Sequence, residues 1–130
     1  MSTVRELEVA YLEWQQLAEA EGDAIRAGDW IRACDCQNAL RALQPRIIEH
    51  TARAQQEWAV DESVRASAEP CLRARVRQLI ELEQRNYSLL DSRVRSARAE
   101  LDKLQLANHT LHRIQRSYAP ARPAAWSSFS

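Results

Sequence analysis

The sequence predicts an all-α fold, in which an antiparallel helical hairpin packs on a long C-terminal helix to form a three-helix, coiled-coil-like bundle. Only two glycines and four prolines occur in 130 residues, so few positions can interrupt a helix. Ala, Leu, Arg, Glu and Gln, which favour helices, dominate the sequence. It contains no β-hairpin turn dipeptide and no sustained alternation of apolar and polar residues. The length fits one domain.

The first helix is predicted from Thr3 to about Ala27. Thr3 and Glu6 form a capping-box pattern, in which a hydroxyl and a carboxylate satisfy free backbone donors at a helix start. Gly28 suits a left-handed C-terminal cap, and Asp29 can cap the next helix. Because so short a turn joins them, the first two helices are expected to be antiparallel.

The second helix is predicted from Trp30 to about Ala59. Pro45 lies inside it, where proline removes one hydrogen bond and crowds the preceding turn, so a kink or a short break is expected. Between Val60 and Pro70 the apolar pattern is lost, and this segment is expected to be a mobile connection. Pro70 suits the first turn of a third helix.

The third helix is predicted from Cys71 to about Tyr118, with no Gly or Pro. Thirteen of its residues, mostly apolar, follow one another at alternating spacings of four and three and define an apolar stripe. The stripe comprises Val76, Ile80, Glu83, Tyr87, Leu90, Val94, Ala97, Leu101, Leu104, Asn108, Leu111, Gln115 and Tyr118. Such a helix is about 70 Å long at 1.5 Å per residue. The two shorter helices are expected to cover the stripe from Val76 to Leu90, which leaves its C-terminal part for a partner.

Charge is distributed unevenly along the chain although the net charge is zero. Residues 1–70 contain 7 Arg and 13 acidic residues, a net charge of −6, and residues 71–130 contain 11 basic and 5 acidic residues, a net charge of +6. The two halves should attract each other when they fold antiparallel. The N-terminus lacks a signal-peptide pattern, and no run of about 18 apolar residues occurs, so a soluble, cytoplasmic protein without membrane insertion is expected.

No metal site or cofactor is predicted. The candidate zinc ligands are Cys34, Cys36, Cys71 and His50. Structural zinc needs four ligands, usually in two close pairs, whereas sulfurs at i and i+2 of a helix point about 200° apart. Reduced thiols are therefore expected. His109 and His112 share a helix face, but no carboxylate cluster joins them as a di-iron bundle would require.

No enzymatic activity is predicted, because the chain has no nucleophile elbow, no Gly-rich phosphate loop and no H-E-x-x-H motif. Two basic runs occur, one of Arg73, Arg75 and Arg77 and one of Arg93, Arg95 and Arg98. The first run wraps around the helix, and the chain is neutral overall, so pairing with the acidic half is favoured over binding to nucleic acid.

Residues 1–118 are expected to form the helical domain, and residues 119–130 a flexible tail. Pro120 and Pro123 prevent the helix from continuing. Trp126 and Phe129 in this tail are either docking groups for a partner or incidental aromatics of an unstructured end.

Several segments resemble the flagellar type III export chaperones of the FlgN/FliT type, which are small cytoplasmic helical proteins. They are Glu21-Gly-Asp-Ala-Ile-Arg-Ala-Gly-Asp-Trp30, Leu79-Ile-Glu-Leu-Glu-Gln-Arg-Asn86 and Tyr118-Ala-Pro-Ala. Together with chain length and helix order, they give a resemblance that covers most of the chain. Two residues depart from the family pattern: Arg122 lies near a position where glycine would be expected, and Pro45 is unusual. The identity of the substrate is therefore left open.

The resemblance implies a chaperone that holds hook-filament junction or filament cap proteins through their C-terminal helical segments and delivers them to the export gate. A tyrosine near the end of the last helix takes part in that delivery, and Tyr118 is the matching position. The physical requirement is an apolar face that accepts an amphipathic helix. The residues expected to bind cargo are Leu90, Val94, Ala97, Leu101, Leu104 and Leu111. The alternative is a homodimeric coiled-coil scaffold without a flagellar role, in which Glu83 and Asn108 would set the register.

Overall fold

The computed structural model describes residues 2–118 and confirms the all-α fold. Helix α1 spans Thr3–Ala27, α2 spans Trp30–Val60 and α3 spans Glu62–Tyr118. No strand occurs among the described residues. The predicted tail, residues 119–130 with Trp126 and Phe129, lies outside them.

Helix α1 begins at Thr3, as predicted, but a different residue caps it. Ser2 is the N-cap, and its side chain accepts a hydrogen bond from the Arg5 backbone N–H. Thr3 is buried, and its hydroxyl donates to the Glu57 carboxylate on α2. Glu6 pairs with basic side chains of α2 and does not cap the helix. The predicted capping role of Thr3 and Glu6 is wrong because both side chains are used to hold α1 against α2.

The turn between α1 and α2 is confirmed. Gly28 adopts φ 72°, the left-handed conformation that residues other than glycine rarely take. Its N–H donates to the Ile25 carbonyl at 3.1 Å, and the Asp29 N–H donates to the Ala24 carbonyl at 2.8 Å. The Asp29 side chain then accepts from the Arg32 N–H at 3.1 Å and starts α2. Both helix ends are thereby satisfied within one tight turn.

Helix α2 continues through Pro45 without a break. The Pro45 side chain is exposed. The hydrogen bond that proline cannot donate would have gone to the Arg41 carbonyl four residues earlier. Arg41 is also exposed, so water can satisfy that carbonyl. The expected short break is therefore absent.

The expected connection between Val60 and Pro70 is wrong, because α3 begins at Glu62. Only Asp61 separates α2 from α3. The Asp61 carboxylate accepts hydrogen bonds from the Ser63 N–H at 3.1 Å and from the Ser63 hydroxyl at 2.6 Å. These bonds lower the pKa of Asp61 and cap the free end of α3.

Pro70 lies inside α3 and not in its first turn. On its N-terminal side, Arg65 Nε donates to Glu69 at 2.6 Å, and on its C-terminal side Arg73 Nη2 donates to the same carboxylate at 2.6 Å. Arg73 of the first basic run therefore pairs within its own helix. These i,i+4 pairs bridge the position where proline removes a backbone hydrogen bond.

The chain divides into two compact units, Met1–Asp91 and Ser92–Ser130, which we call unit 1 and unit 2. In unit 1, α1, α2 and the first half of α3 share two hydrophobic clusters. The buried members of the larger one are Leu7, Tyr11, Ala54, Trp58, Leu72 and Leu79. Those of the smaller one are Ala24, Ile25 and Ala33, against which Leu89 packs.

The buried face of α3 in unit 1 differs from the predicted stripe. Leu72, Leu79 and Asn86 are buried at intervals of seven. Ile80 is exposed, and Tyr87 is 74% exposed. The expectation that α1 and α2 cover the stripe from Val76 to Leu90 holds for Val76, which packs against the core, and is wrong from Ile80 onward, because the buried side lies one residue away from the predicted one.

In unit 2 the structure describes residues 92–118, which are all helical. Every residue of this segment is exposed except Gln115, which is half-buried. Within residues 2–118, none of the three helices is both long enough and apolar enough to cross a membrane.

Candidate partner-binding surfaces

The unit 2 part of α3 presents apolar residues along one face. Their spacings fit a heptad abcdefg, in which Val94 and Leu101 take a positions and Ala97, Leu104 and Leu111 take d positions. The four larger side chains are between 45% and 66% exposed. We call these five residues the binding face, because an amphipathic helix of about five turns could bury them.

Polar side chains occupy the a positions that follow Leu101. Asn108 is exposed, and Gln115 is half-buried. An amide at an a position becomes costly in a helix pair unless the partner offers it a hydrogen bond. A helix that packed on this end of the heptad pattern would have to offer hydrogen bonds to these amides, whereas the layers before Asn108 are apolar.

The segment that carries the binding face has a positive net charge. Residues 92–118 contain five Arg, one Lys and two acidic residues, a net charge of +4. Lys103 Nζ lies 4.0 Å from Glu100 one turn earlier. Because the charge is exposed, it attracts acidic partners at low ionic strength and is screened at higher salt.

A second apolar strip lies beside the binding face. A shallow depression on this side is lined by Lys103, Leu106, Ala107, Thr110, Leu111 and Ile114. Leu106 is as exposed as Leu104, at 68% against 66%. The two residues differ by two positions and therefore point about 160° apart on the helix. Leu106 provides a matched control for substitutions at Leu104.

The two remaining predicted site residues flank the binding face in sequence. Leu90 belongs to unit 1 and is 37% exposed. Tyr118 lies in the last turn of α3 and is 86% exposed. The predicted cargo-binding residues thus lie on one helix, and Tyr118 presents a ring with a polar tip to solvent.

Unit 1 contains an open groove between α2 and α3, which we call the α2/α3 groove. Two adjoining depressions form it, and both are lined by Leu40, Gln44, Ile80 and Glu83. The remaining lining residues are Trp14, Glu21, Gln37, Arg41, Leu43, Ile47, Ile48, Gln84, Tyr87 and Leu90. The sequence pattern did not reveal this groove, because it placed Ile80 and Tyr87 in the core.

Two carboxylates lie at the α2/α3 groove. Glu83 accepts a hydrogen bond from Trp14 Nε1 at 2.8 Å. Glu21 is buried and accepts from Gln37 Nε2 at 2.6 Å. Burial raises the pKa of Glu21, the Gln37 hydrogen bond opposes this effect, and the nearby Glu83 adds to it.

Asn86 is the buried polar group that sequence reasoning missed. It is 2% exposed, and its Nδ2 donates to the Ala18 carbonyl on α1 at 2.6 Å. Its Oδ1 has no hydrogen-bond partner. A Cβ on Gly22 would lie 2.6 Å from this Oδ1, so α3 approaches α1 closely because Gly22 has no side chain. The seven-residue interval from Leu72 through Leu79 to Asn86 was the available signal.

The candidate metal ligands do not assemble. No group of three or more His, Cys, Asp or Glu side chains within residues 2–118 could hold a metal ion. Cys34 and Cys71 are exposed free thiols, and Cys36 is a buried one. Burial raises the pKa of Cys36, which keeps it a thiol and lowers its reactivity.

Comparison of the chain with protein-family models, with curated proteins and with solved structures gave no match. The resemblance to flagellar export chaperones therefore rests on the three quoted segments, the chain length and the order of the helices.

Proposed function

We propose that this protein acts in the cytoplasm as an export chaperone for late flagellar substrates, either hook-filament junction proteins or the filament cap. It acts by binding and not by catalysis. The observation that carries the proposal is the binding face, a row of apolar side chains on α3 that no other described part of the chain covers. Exposed apolar rows of this kind are typical of surfaces that bind an amphipathic helix.

The positive charge around the binding face specifies the cargo segment further. A helix with apolar residues at i, i+3, i+4 and i+7 and with acidic flanks would complement both the apolar row and the net charge of +4. Tyr118 docks on the export gate, since it is exposed at the C-terminal end of α3.

The test is capture of binding partners from a flagellated host on three immobilised forms of the protein. The wild type and Leu106→Glu should retain a late flagellar export substrate, and Leu104→Glu should not. A carboxylate placed in an apolar contact costs several kcal/mol, which corresponds to a loss of affinity of about a hundredfold or more.

Two results would contradict the proposal. One is the absence of any flagellar export substrate among the proteins retained by the wild type. The other is equal retention by Leu104→Glu and Leu106→Glu, because the binding face would then play no special part.

The heptad pattern supports a second candidate function, a homodimeric coiled-coil scaffold. Val94 at an a position and Leu104 at a d position suit a two-stranded coiled coil, and Asn108 would fix its register. Such a protein would be a dimer through the binding face with or without cargo. Leu104→Glu would make it monomeric, whereas Leu106→Glu would leave the dimer intact.

A further inference from the structure

The α2/α3 groove is long enough to hold about three turns of a helix. Its walls run from Gln37 to Ile48 on α2 and from Ile80 to Leu90 on α3. At 1.5 Å per residue, each wall is about 15 Å long, or three helical turns. The groove is lined by apolar side chains such as Ile48 and Ile80 that remain exposed to solvent. A fourth amphipathic helix placed there would complete a four-helix arrangement in unit 1.

The charges of unit 1 favour a basic occupant. Residues 1–91 contain 11 Arg and 16 acidic residues, a net charge of −5. Glu21 and Glu83 lie at the groove, and Arg41 is the basic residue of its lining. Residues 92–118 are helical, amphipathic and carry a net charge of +4. The acidic unit with its partly apolar groove and the basic, amphipathic segment 92–118 are therefore complementary in charge and in apolar character.

We propose that the α2/α3 groove holds about three turns of the binding face, around Leu104, of a second copy of this chain when no cargo is present. This inference rests on the proposed function, because cargo and the second copy compete for the binding face. The contact joins two different surfaces and is heterologous. Self-association then keeps an apolar face covered until cargo replaces the second copy.

A coiled coil between two binding faces is a poorer match. It would bring together two segments that each carry a net charge of +4. In a parallel, in-register pair, the heptad places Arg93 at a g position beside Arg98 at the following e position of the other copy. Like charges at these positions oppose pairing, whereas the groove offers opposite charge.

Light scattering and sedimentation of the full chain without cargo test the contact. Ile48→Glu damages the groove and leaves the binding face intact, and Leu104→Glu does the reverse. Each variant alone should be monomeric at concentrations where the wild type associates. Mixing the two should restore a one-to-one complex, because the intact face of the first can enter the intact groove of the second. Added salt should weaken association of the wild type.

Val9→Glu is the matched control, since Val9 is exposed on α1 and does not line the groove. It should associate as the wild type does. If Ile48→Glu loses helical content, Tyr87→Glu at the exposed rim of the groove replaces it in the mixing experiment.

Three outcomes would overturn the inference. The wild type could stay monomeric at every concentration, or the groove variant could associate as the wild type does. The mixed variants could also fail to form a complex, which would show that the binding face does not enter the groove. Self-association of Ile48→Glu alone would indicate that the binding faces pair with each other. All measurements are made without cargo, so they remain informative if the proposed chaperone function fails, and cargo capture does not depend on their result.

Discussion

A methyl group added at Gly22 would enter space that the buried amide of Asn86 occupies. In an ordinary helix interior, Gly→Ala stabilises a protein by about 1 kcal/mol, because alanine restricts the unfolded chain and favours the helix. At Gly22 the new Cβ would lie 2.6 Å from Asn86 Oδ1 and 3.5 Å from Asn86 Cγ. The first distance is too short for any real contact, so either the amide or the whole of α3 must shift.

The shift breaks the hydrogen bond from Asn86 Nδ2 to the Ala18 carbonyl. A buried amide without its partner costs about 1–3 kcal/mol, and overpacking costs a similar amount. After the gain in helix propensity is subtracted, Gly22→Ala should destabilise unit 1 by about 1–5 kcal/mol. For a unit of this size, the unfolding midpoint should fall by at least about 5 °C.

A double-mutant cycle isolates the close approach. Asn86→Ala removes the amide that the methyl group meets, so Gly22→Ala in that background should be neutral or stabilising by up to about 1 kcal/mol. The coupling energy between the two sites should therefore reach about 2 kcal/mol. Thermal or urea unfolding, followed by circular dichroism, measures all four forms. A higher midpoint for Gly22→Ala, or the same change in both backgrounds, would refute the reasoning.

Three further predictions follow from the site and the fold. Burial raises the pKa of Glu21 in the folded protein. The carboxyl group therefore stabilises the fold most at a pH below its ordinary pKa, where it is protonated, and this contribution is lost as the pH rises through the folded pKa. Glu21→Gln should therefore be more stable than the wild type at neutral pH, and the difference should vanish on acidification; a constant difference in unfolding midpoint from pH 4 to 8 would exclude this explanation. Leu104→Glu should abolish cargo binding, whereas Tyr118→Ala should spare cargo affinity and impair delivery; equal losses of cargo affinity and thermal stability in both would indicate one shared packing surface. Far-ultraviolet circular dichroism should show a strongly helical protein, and elemental analysis should find no zinc; substantial strand content or one zinc per chain would contradict these expectations.

The sequence predicted the helices well where local chemistry decides the structure. Gly28 and Asp29 form a turn whose geometry depends on those two residue types, so it was predictable from them. The start of α3 was not, because proline usually marks a helix boundary and Pro70 does not. Glu69 pairs with Arg65 and Arg73 around this position, and each pair stabilises the helix there by a few tenths of a kcal/mol.

The candidate surfaces were predictable in part. Heptad spacing located the apolar row of the binding face, because apolar residues recur at a and d positions in the same way whether the row is exposed or buried. It misplaced the buried face of unit 1, since Asn86 is polar and was not counted as a core residue. A search for hydrophobic periodicity counts apolar side chains and therefore passes over a buried polar one. Asn86 is buried because it donates a hydrogen bond to the Ala18 carbonyl and lies close to Gly22.

The continuity of α3 explains how residues 92–118 can be helical while they are exposed. Starting a helix is unfavourable, whereas adding a residue to an existing helix is nearly free or favourable. The earlier turns of α3 are held by the core of unit 1 through Leu72 and Leu79, and the segment beyond them contains no Gly or Pro. The binding face therefore exists before a partner arrives. A partner that docks on a preformed helix does not have to order it, so more of the energy from apolar burial is retained as affinity.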